Sequence, residues 1–247
     1  MKLILLPGLD GTGELFYPLT SLLKNYDLQI IIYPDNKKMS YAKLIMLVKN
    51  QLPKEEEYII VAESFSGVIA YNIALEKPNN LKFIVFVATF IENPRPILSK
   101  FIPIGLLKFL LSLPLFDITI KKILLNSNAS KKLIILVKNT INNIKSDILY
   151  FRLLQIINLK QVSQKISIES IYLQASKDYL VPKSAYNVFQ KYIPNIHFYE
   201  VIGSHLLLQS NPKECIEIIN KYLEAQICQP YHKNTHFKST PATKPPN

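Results

Sequence analysis

The sequence predicts an α/β fold: a mostly parallel sheet of about six strands, interrupted by a helical insertion. Short apolar segments typical of strands alternate with helical patterns along most of the chain. This alternation favours a parallel sheet, because parallel strands need crossover connections that are usually helical. The alternation breaks only once, in a segment whose patterns are all helical. With 247 residues, 49% of them hydrophobic, the chain can bury the core of one α/β unit.

The order of these patterns divides the chain into a core, an insertion and a tail. We expect residues 1–92 and 161–226 to form the core and residues 93–160, hereafter the insertion, to form a helical lid. Residues 227–247 have the polar, proline-rich composition of a disordered tail. The core strands are expected at residues 2–6, 28–33, 58–62, 82–88, 168–175 and 197–202, with helices at about 15–24, 41–52, 67–76, 184–192 and 212–224.

A serine follows the third predicted strand at the point where a helix begins. The strand runs into Ala62-Glu63-Ser64-Phe65-Ser66-Gly67, where a G-x-S-x-G turn that exposes a nucleophilic serine belongs. Such a turn needs small residues two positions before and after the serine, and Ala62 and Ser66 are small. Taking Ser66 as the nucleophile would put the β-branched Val68 at the crowded position. The pattern therefore favours Ser64, although serines are also common in strand-to-helix turns for structural reasons.

An acid and a histidine follow in the chain order that such a serine requires. Asp178 lies in the loop after the predicted strand 168–175, and His205 lies in the loop after the predicted strand 197–202. The ends of parallel strands meet at one edge of the sheet, so both side chains should reach Ser64 there. A serine hydroxyl needs an imidazole to take its proton, and a carboxylate fixes the imidazole tautomer. The structural alternatives are a turn-forming Asp178 and a His205 that merely precedes a helix.

The first predicted strand runs straight into the glycine-rich loop Pro7-Gly8-Leu9-Asp10-Gly11-Thr12-Gly13. Its three glycines allow backbone N–H groups to point at a substrate oxygen, and acyl transfer needs two such donors where the oxyanion forms. The expected donors are the amides of Leu9 and Phe65. The loop has neither the Gly-Lys-Ser/Thr of a P-loop nor the G-x-G-x-x-G of a dinucleotide site. A plain glycine-rich turn remains the structural alternative.

These motifs together resemble the α/β-hydrolase superfamily, in particular its small bacterial serine esterases, over residues 1 to about 225. The sequences of the glycine-rich loop and of the serine turn are also similar to those of the phytyl ester synthases, which transfer acyl groups. The resemblance implies an α/β-hydrolase fold whose sheet of about six strands lacks the usual N-terminal hairpin. It assigns roles to five residues: Ser64 as nucleophile, His205 as base, Asp178 as orienting acid, and Leu9 and Phe65 as oxyanion donors. The chain departs from the family pattern at Pro7, where many members have histidine, and at Ala62 and Ser66, which replace glycines.

The positive charge of the chain is concentrated in the insertion. The net charge is +11, and the insertion holds 11 lysines and arginines against two acidic residues, whereas the core has nearly equal numbers of both signs. A basic lid would attract an acidic carrier protein, an anionic membrane surface or an anionic substrate. The alternative is a solvated lysine-rich surface that serves solubility. We expect no nucleic-acid partner, because no recognised binding motif accompanies the lysines.

The most apolar run of the insertion, Phe101 to Phe116, is too short for a membrane span and contains two prolines, a glycine and a lysine. We expect it to be buried, or else to line a channel for an acyl chain. The run Leu3 to Leu6 is too short for a signal peptide, so the expected location is the cytoplasm. The two cysteines, Cys215 and Cys228, form no metal or redox motif, and no metal or organic cofactor is implied.

The leading hypothesis from the sequence is a serine hydrolase that cleaves carboxylic esters, or acyl thioesters and carrier-linked acyl esters, through an acyl-enzyme. One alternative is acyl transfer to an alcohol by the same three residues. Another is a binding module of the same fold in which Ser64 is not activated. Glu63 is expected to be solvated beside the serine, the alternative being a residue that shapes the charge preference for substrate. Glu92 ranks below Asp178 as the acid.

Overall fold

The computed structural model describes residues 1–24, 26–96, 123–126 and 128–227, with side chains as far as residue 223. The predicted tail, apart from its first residue, and the apolar run Phe101 to Phe116 lie outside the described residues.

Six parallel strands form one sheet in the order β2-β1-β3-β4-β5-β6. This confirms the predicted fold class and strand number. Each strand was predicted to within a few residues of its ends. The strands are β1 (Lys2–Leu6), β2 (Asp27–Ile30), β3 (Tyr58–Glu63), β4 (Leu81–Val87), β5 (Ser170–Ala175) and β6 (Ile196–Val201).

Helices connect the strands on both faces of the sheet, as right-handed crossovers between parallel strands require. Two 3₁₀ turns, Glu14–Phe16 and Ser64–Ser66, precede the first and third helices. The helices of the described residues are α1 (Tyr17–Thr20), α2 (Tyr41–Lys49), α3 (Gly67–Leu75), α4 (Lys131–Asn143), α5 (Ser146–Ile157), α6 (Ser184–Tyr192), α7 (Leu207–Ser210) and α8 (Pro212–Ile227).

The core lies in two layers, one on each side of the sheet. The central strands β3 and β4 are buried almost throughout, and their residues alternate between the two layers, as the period of two in a strand demands. One layer contains the apolar faces of α2, α3 and α6, and the other contains those of α1, α7 and α8. Because both faces are covered, the carboxyl edge of the sheet is left to carry polar groups.

The described part of the insertion contains α4 and α5, which begin after Ser130 and Lys145. Ser130 caps α4, since its side chain accepts a hydrogen bond from the Leu133 amide at 3.2 Å. Apolar residues of α4 form a small third cluster with Leu206, the neighbour of His205. Among the described residues, no helix combines the length and apolar character needed to cross a bilayer.

Candidate active site

Ser64 lies at the end of β3, where a 3₁₀ turn leads directly into α3. Its φ angle is +48°, in the left-handed region that a residue with a side chain rarely adopts. The Thr89 hydroxyl donates a hydrogen bond to the Ser64 carbonyl and supports this conformation from the end of β4. Glu63 and Phe65 are buried whereas Ser64 is partly exposed, so the turn presents one hydroxyl to solvent.

The backbone of the turn approaches the end of β4 closely at Gly67. A Cβ atom placed on Gly67 would lie 2.1 Å from Thr89 Oγ1 and 2.7 Å from the Phe90 carbonyl oxygen, so a side chain there would clash. Ser66 is fully buried, and its hydroxyl lies 2.6 Å from the Tyr33 hydroxyl. The buried hydroxyl at position 66 is tolerated because Tyr33 is its hydrogen-bond partner.

The structure brings the three side chains predicted for catalysis into contact in series. Ser64 Oγ lies 2.8 Å from His205 Nε2, and His205 Nδ1 lies 2.8 Å from Asp178 Oδ2. The residues come from the ends of β3, β5 and β6, which lie at the same edge of the parallel sheet. The side chains of His205 and Asp178 are almost completely buried. The arrangement can pass a proton from the serine to an imidazole whose tautomer is set by a carboxylate.

Backbone groups fix the Asp178 carboxylate in this position. Its Oδ1 accepts hydrogen bonds from the amides of Leu180 and Val181 at 2.8 and 2.9 Å, which leaves Oδ2 for the imidazole. Burial alone would lower the pKa of His205, but the charge and hydrogen bond of Asp178 outweigh it, and the pKa of His205 is raised. The carboxylate therefore makes the imidazole a better proton acceptor.

The glycine-rich loop passes beside the serine. A Cβ atom on Gly8 would lie 3.7 Å from Ser64 Cβ, and the Gly11 amide donates to the Gly8 carbonyl at 3.1 Å to close a turn around Leu9. Phe65 is the second residue of a 3₁₀ turn, where the amide has no partner within its own helix. Phe65 thus follows Ser64 in the chain, and Leu9 follows Gly8, the residue that lies beside Ser64. The role of their two amides as oxyanion donors stays a prediction.

Sequence reasoning missed Arg152, which lies on α5 of the insertion and contacts the glycine-rich loop. Its side chain is buried and donates hydrogen bonds to the carbonyls of Leu9 at 2.9 Å, Asp10 at 2.5 Å and Pro34 at 3.0 Å. The amino-acid composition could have pointed to this residue, because the chain has 27 lysines and only two arginines, Arg95 and Arg152. Where lysine is so strongly favoured, an arginine marks a place that needs a planar fork of donors.

The expectation that Glu63 is solvated is wrong. Glu63 is 1% exposed, because the first turn after His205 covers the end of β3, and its Oε2 accepts a hydrogen bond from Gln209 at 3.1 Å. Burial raises the pKa of Glu63 to about 7, with the nearby Asp10 charge adding to the increase. Within the part of the chain that the structure describes, Oε1 of Glu63 and Oε1 of Gln209 find no hydrogen-bond partner.

Glu92 is not placed as an alternative acid. Its carboxylate accepts a hydrogen bond from the Val162 amide at 2.9 Å and so links the two core segments that flank the insertion. Among the described residues, no cluster of three or more histidine, cysteine, aspartate or glutamate side chains could hold a metal ion.

Solved structures of similar fold include several proteins named as esterases. One is a lipase-esterase related protein from Clostridium acetobutylicum, with 17% identity, 90% of this chain and 93% of that chain covered, and a TM-score of 0.72. Another is a thermophilic esterase from Thermogutta terrifontis, with 12% identity, coverage of 91% and 90%, and a TM-score of 0.72. A third, the esterase EaEST from Exiguobacterium antarcticum, has 12% identity, coverage of 91% and 92%, and a TM-score of 0.71.

No protein-family model and no curated protein sequence matches the chain. At such low identities the structural likeness concerns the fold, and it extends over nine-tenths of the chain. Together with the six parallel strands and the serine at the end of β3, it shows that this chain adopts the α/β-hydrolase fold.

Proposed function

We propose that the protein is a serine hydrolase that cleaves carboxylic esters through an acyl-enzyme. The observation that carries the proposal is the series of two 2.8 Å contacts from Ser64 through His205 to Asp178, on a serine whose backbone is held at a φ of +48°. The esterase names of several structures with this fold are further support. A positive φ at a serine costs of order 1–3 kcal/mol, so it persists only where the surrounding structure enforces it.

In the proposed reaction, Ser64 Oγ attacks the ester carbonyl while His205 Nε2 accepts the hydroxyl proton. The carbonyl oxygen becomes an oxyanion that accepts hydrogen bonds from the amides of Leu9 and Phe65. The C–O bond to the leaving alcohol then breaks, and His205 returns the proton to that alcohol. Water, deprotonated by the same imidazole, then attacks the acyl-enzyme. The resulting tetrahedral intermediate collapses, the bond between the acyl carbon and Ser64 Oγ breaks, and His205 returns the proton to Ser64 Oγ as the carboxylic acid leaves.

Hydrolysis of a panel of p-nitrophenyl esters and acyl thioesters by wild type and Ser64→Ala tests this proposal. We expect Ser64→Ala to lose roughly 10⁴-fold or more in kcat, as removal of a triad serine does in other hydrolases. Ser21→Ala is the matched control, since Ser21 is exposed and its hydroxyl donates to the nearby Pro18 carbonyl at 3.0 Å. Hydrolysis that survives in Ser64→Ala would refute the proposal.

The same panel addresses the acyl group, which the fold does not specify. The sequence hypothesis of an acyl channel in the insertion predicts that activity increases beyond butyrate, and a maximum at acetate contradicts it. The competing hypothesis of acyl transfer, suggested by the phytyl ester synthase resemblance, needs an alcohol in place of water at the second step. Incubation with one acyl donor and several alcohols, scored for new ester against free acid, distinguishes the two reactions.

We further propose that the basic insertion attracts an acidic carrier protein that presents the acyl group, in a protein that resides in the cytoplasm. Lys131 and Lys132 are exposed at the start of α4, beside the cluster that covers Leu206. Two of the eleven cations are excluded from this role, because Arg95 and Arg152 bind backbone carbonyls. Charge reversal at Lys131 and Lys132 should slow carrier-linked turnover at low salt and leave p-nitrophenyl ester turnover unchanged. An unchanged salt dependence contradicts this proposal, and faster binding to anionic vesicles than to a carrier would favour a membrane partner.

A further inference from the structure

Both arginines of the chain lie in the insertion, and both bind backbone carbonyls of loops that form the candidate active site. Arg95 donates to the carbonyls of Leu180 and Tyr179 at 3.0 and 2.7 Å, in the loop that carries Asp178. Arg152 donates to the carbonyls of Leu9 and Asp10 in the glycine-rich loop and to Pro34 in the loop after β2. Arg152 is the more deeply placed of the two, with 3% exposure.

Arg152 is linked by hydrogen bonds to the peptide unit that contains the Leu9 amide. Its guanidinium binds the Asp10 carbonyl, and the amide of the same peptide unit, that of Gly11, donates to the Gly8 carbonyl at 3.1 Å. The Gly8 carbonyl in turn shares its peptide unit with the Leu9 amide. Because carbonyl and N–H point in opposite directions in a trans peptide, holding one end of each unit fixes the direction of the other.

This chain of hydrogen bonds also has an electrostatic consequence. A guanidinium that binds a carbonyl polarises the peptide unit and strengthens its N–H as a donor, and the effect passes to the next unit. Arg152 thus strengthens the Gly11 amide as a donor, and through the Gly8 carbonyl it strengthens the Leu9 amide. A fixed direction and a stronger donor are the two properties that an oxyanion donor at Leu9 requires.

The loop is shaped to admit the guanidinium. Gly11 has a φ of +70°, and a Cβ atom there would lie 2.5 Å from Arg152 Nη1. The guanidinium also lies 5.9 Å from the centre of the Tyr33 ring, and the Tyr33 amide donates to the Gly11 carbonyl at 2.8 Å. Lysine could supply the charge here, but its single ammonium lacks the planar fork that spans carbonyls of two loops.

We propose that Arg152 is a positioning residue for catalysis: through the glycine-rich loop it holds and polarises the Leu9 amide that stabilises the oxyanion. This inference rests on the proposed function. Both acylation and deacylation pass through an oxyanion, so losing Arg152 slows kcat whichever step limits turnover. The KM of a small ester changes little, because Arg152 binds the backbone of the loop and, in this proposal, does not contact the substrate.

Steady-state kinetics of Arg152→Ala and Arg152→Lys test the proposal. We expect kcat to fall about 100-fold in Arg152→Ala, the range seen when one oxyanion donor is lost, and about tenfold in Arg152→Lys, with KM within threefold of wild type. Methylguanidinium at millimolar concentration should raise the kcat of Arg152→Ala at least tenfold. Urea and sodium chloride at equal concentration should recover none. Lys160→Ala, which removes an exposed cation from the insertion, is the matched control and should keep wild-type kcat.

The outcomes separate this inference from the proposed function. Wild type that is inactive and is not labelled at Ser64 by a fluorophosphonate refutes the proposed function itself. Active wild type with a folded Arg152→Ala that keeps kcat within twofold refutes the role of Arg152 alone. A loss of kcat that methylguanidinium does not recover, in a variant with wild-type circular dichroism, assigns Arg152 a structural role only and also refutes the inference. If Arg152→Ala does not fold, Arg152→Lys decides, and wild-type kcat in that variant is the contradicting result.

Discussion

The serine turn and the glycine-rich loop both border Ser64, but they are held in different ways. The turn is fixed by its immediate neighbours in the sheet, with Gly67 packed against Thr89 and Phe90 and the Thr89 hydroxyl bound to the Ser64 carbonyl. The loop, by contrast, has two of its carbonyls bound by Arg152, about 140 positions away in the insertion. Substitutions in the turn should therefore mainly lower the free energy of unfolding, whereas substitutions in the loop should mainly lower kcat.

The largest effect is expected at Asp178, which belongs to neither region but holds the imidazole that activates the serine between them. Asp178→Asn should lower kcat by about 10⁴-fold, because the amide cannot fix the required tautomer of His205. The raised pKa of His205 means that the base becomes active only as pH rises through that value. The variant loses the carboxylate that raises it, so the acidic limb of its pH–rate profile should move to lower pH. A limb that stays in place would show that another group sets it.

Gly67→Ala is expected to act mainly on stability. Its Cβ would meet Thr89 Oγ1 at 2.1 Å and the rigid Phe90 carbonyl at 2.7 Å, so the strand and helix must separate. We expect a loss of about 2–3 kcal/mol in the free energy of unfolding, typical of overpacking at a buried site. Urea denaturation measures it, and Ala70, which already carries a methyl group on the same helix, offers Ala70→Gly as a control for helix propensity.

Gly11→Ala is expected to show the opposite balance. Its methyl group meets the movable end of the Arg152 side chain, so the fold adapts at a cost of about 1–2 kcal/mol, most of it from the φ of +70°. The displaced guanidinium no longer orients the loop, and kcat should fall about tenfold. The contrast between the two regions is wrong if Gly67→Ala mainly lowers kcat and Gly11→Ala mainly lowers the free energy of unfolding.

The effect expected at Glu63, beneath the serine turn, is confined to stability and to a window of pH. Its pKa in the folded state is about 7 against an ordinary 4.5, so the folded protein retains the proton between these pH values and stability falls as pH rises through this window. Glu63→Gln keeps the shape and removes the titration. The variant should gain roughly 1–3 kcal/mol over wild type at pH 8 and little at pH 4.5. Glu55→Gln, at an exposed glutamate, is the control for charge alone and should show no such pH dependence.

The same contrast explains which features the sequence could predict. The strands, Ser64, Asp178 and His205 follow local rules, because strand ends in a parallel sheet meet at one edge. The burial of Glu63 depends on α7, which lies about 145 residues later in the chain. The sequence around Glu63 therefore does not predict this burial. Arg152 binds backbone carbonyls, which have no side-chain signature, so only the scarcity of arginine could have pointed to it.

The insertion was predicted to be helical, and its described part has two helices. Its role as a lid and its partners stay predictions. What the described part adds is a contact with each loop of the candidate site: Arg95 with the Asp178 loop, Leu124 with the Leu206 amide at 2.8 Å, and Arg152 with the glycine-rich loop.

Labelling with a fluorophosphonate, followed by intact and peptide mass analysis, tests the central claim that His205 and Asp178 activate Ser64. We predict one adduct per wild-type chain, located on Ser64, no adduct on Ser64→Ala, and labelling slowed at least 100-fold in Asp178→Asn. Folded wild-type protein that remains unlabelled, or that carries its adduct on another residue, would contradict the account.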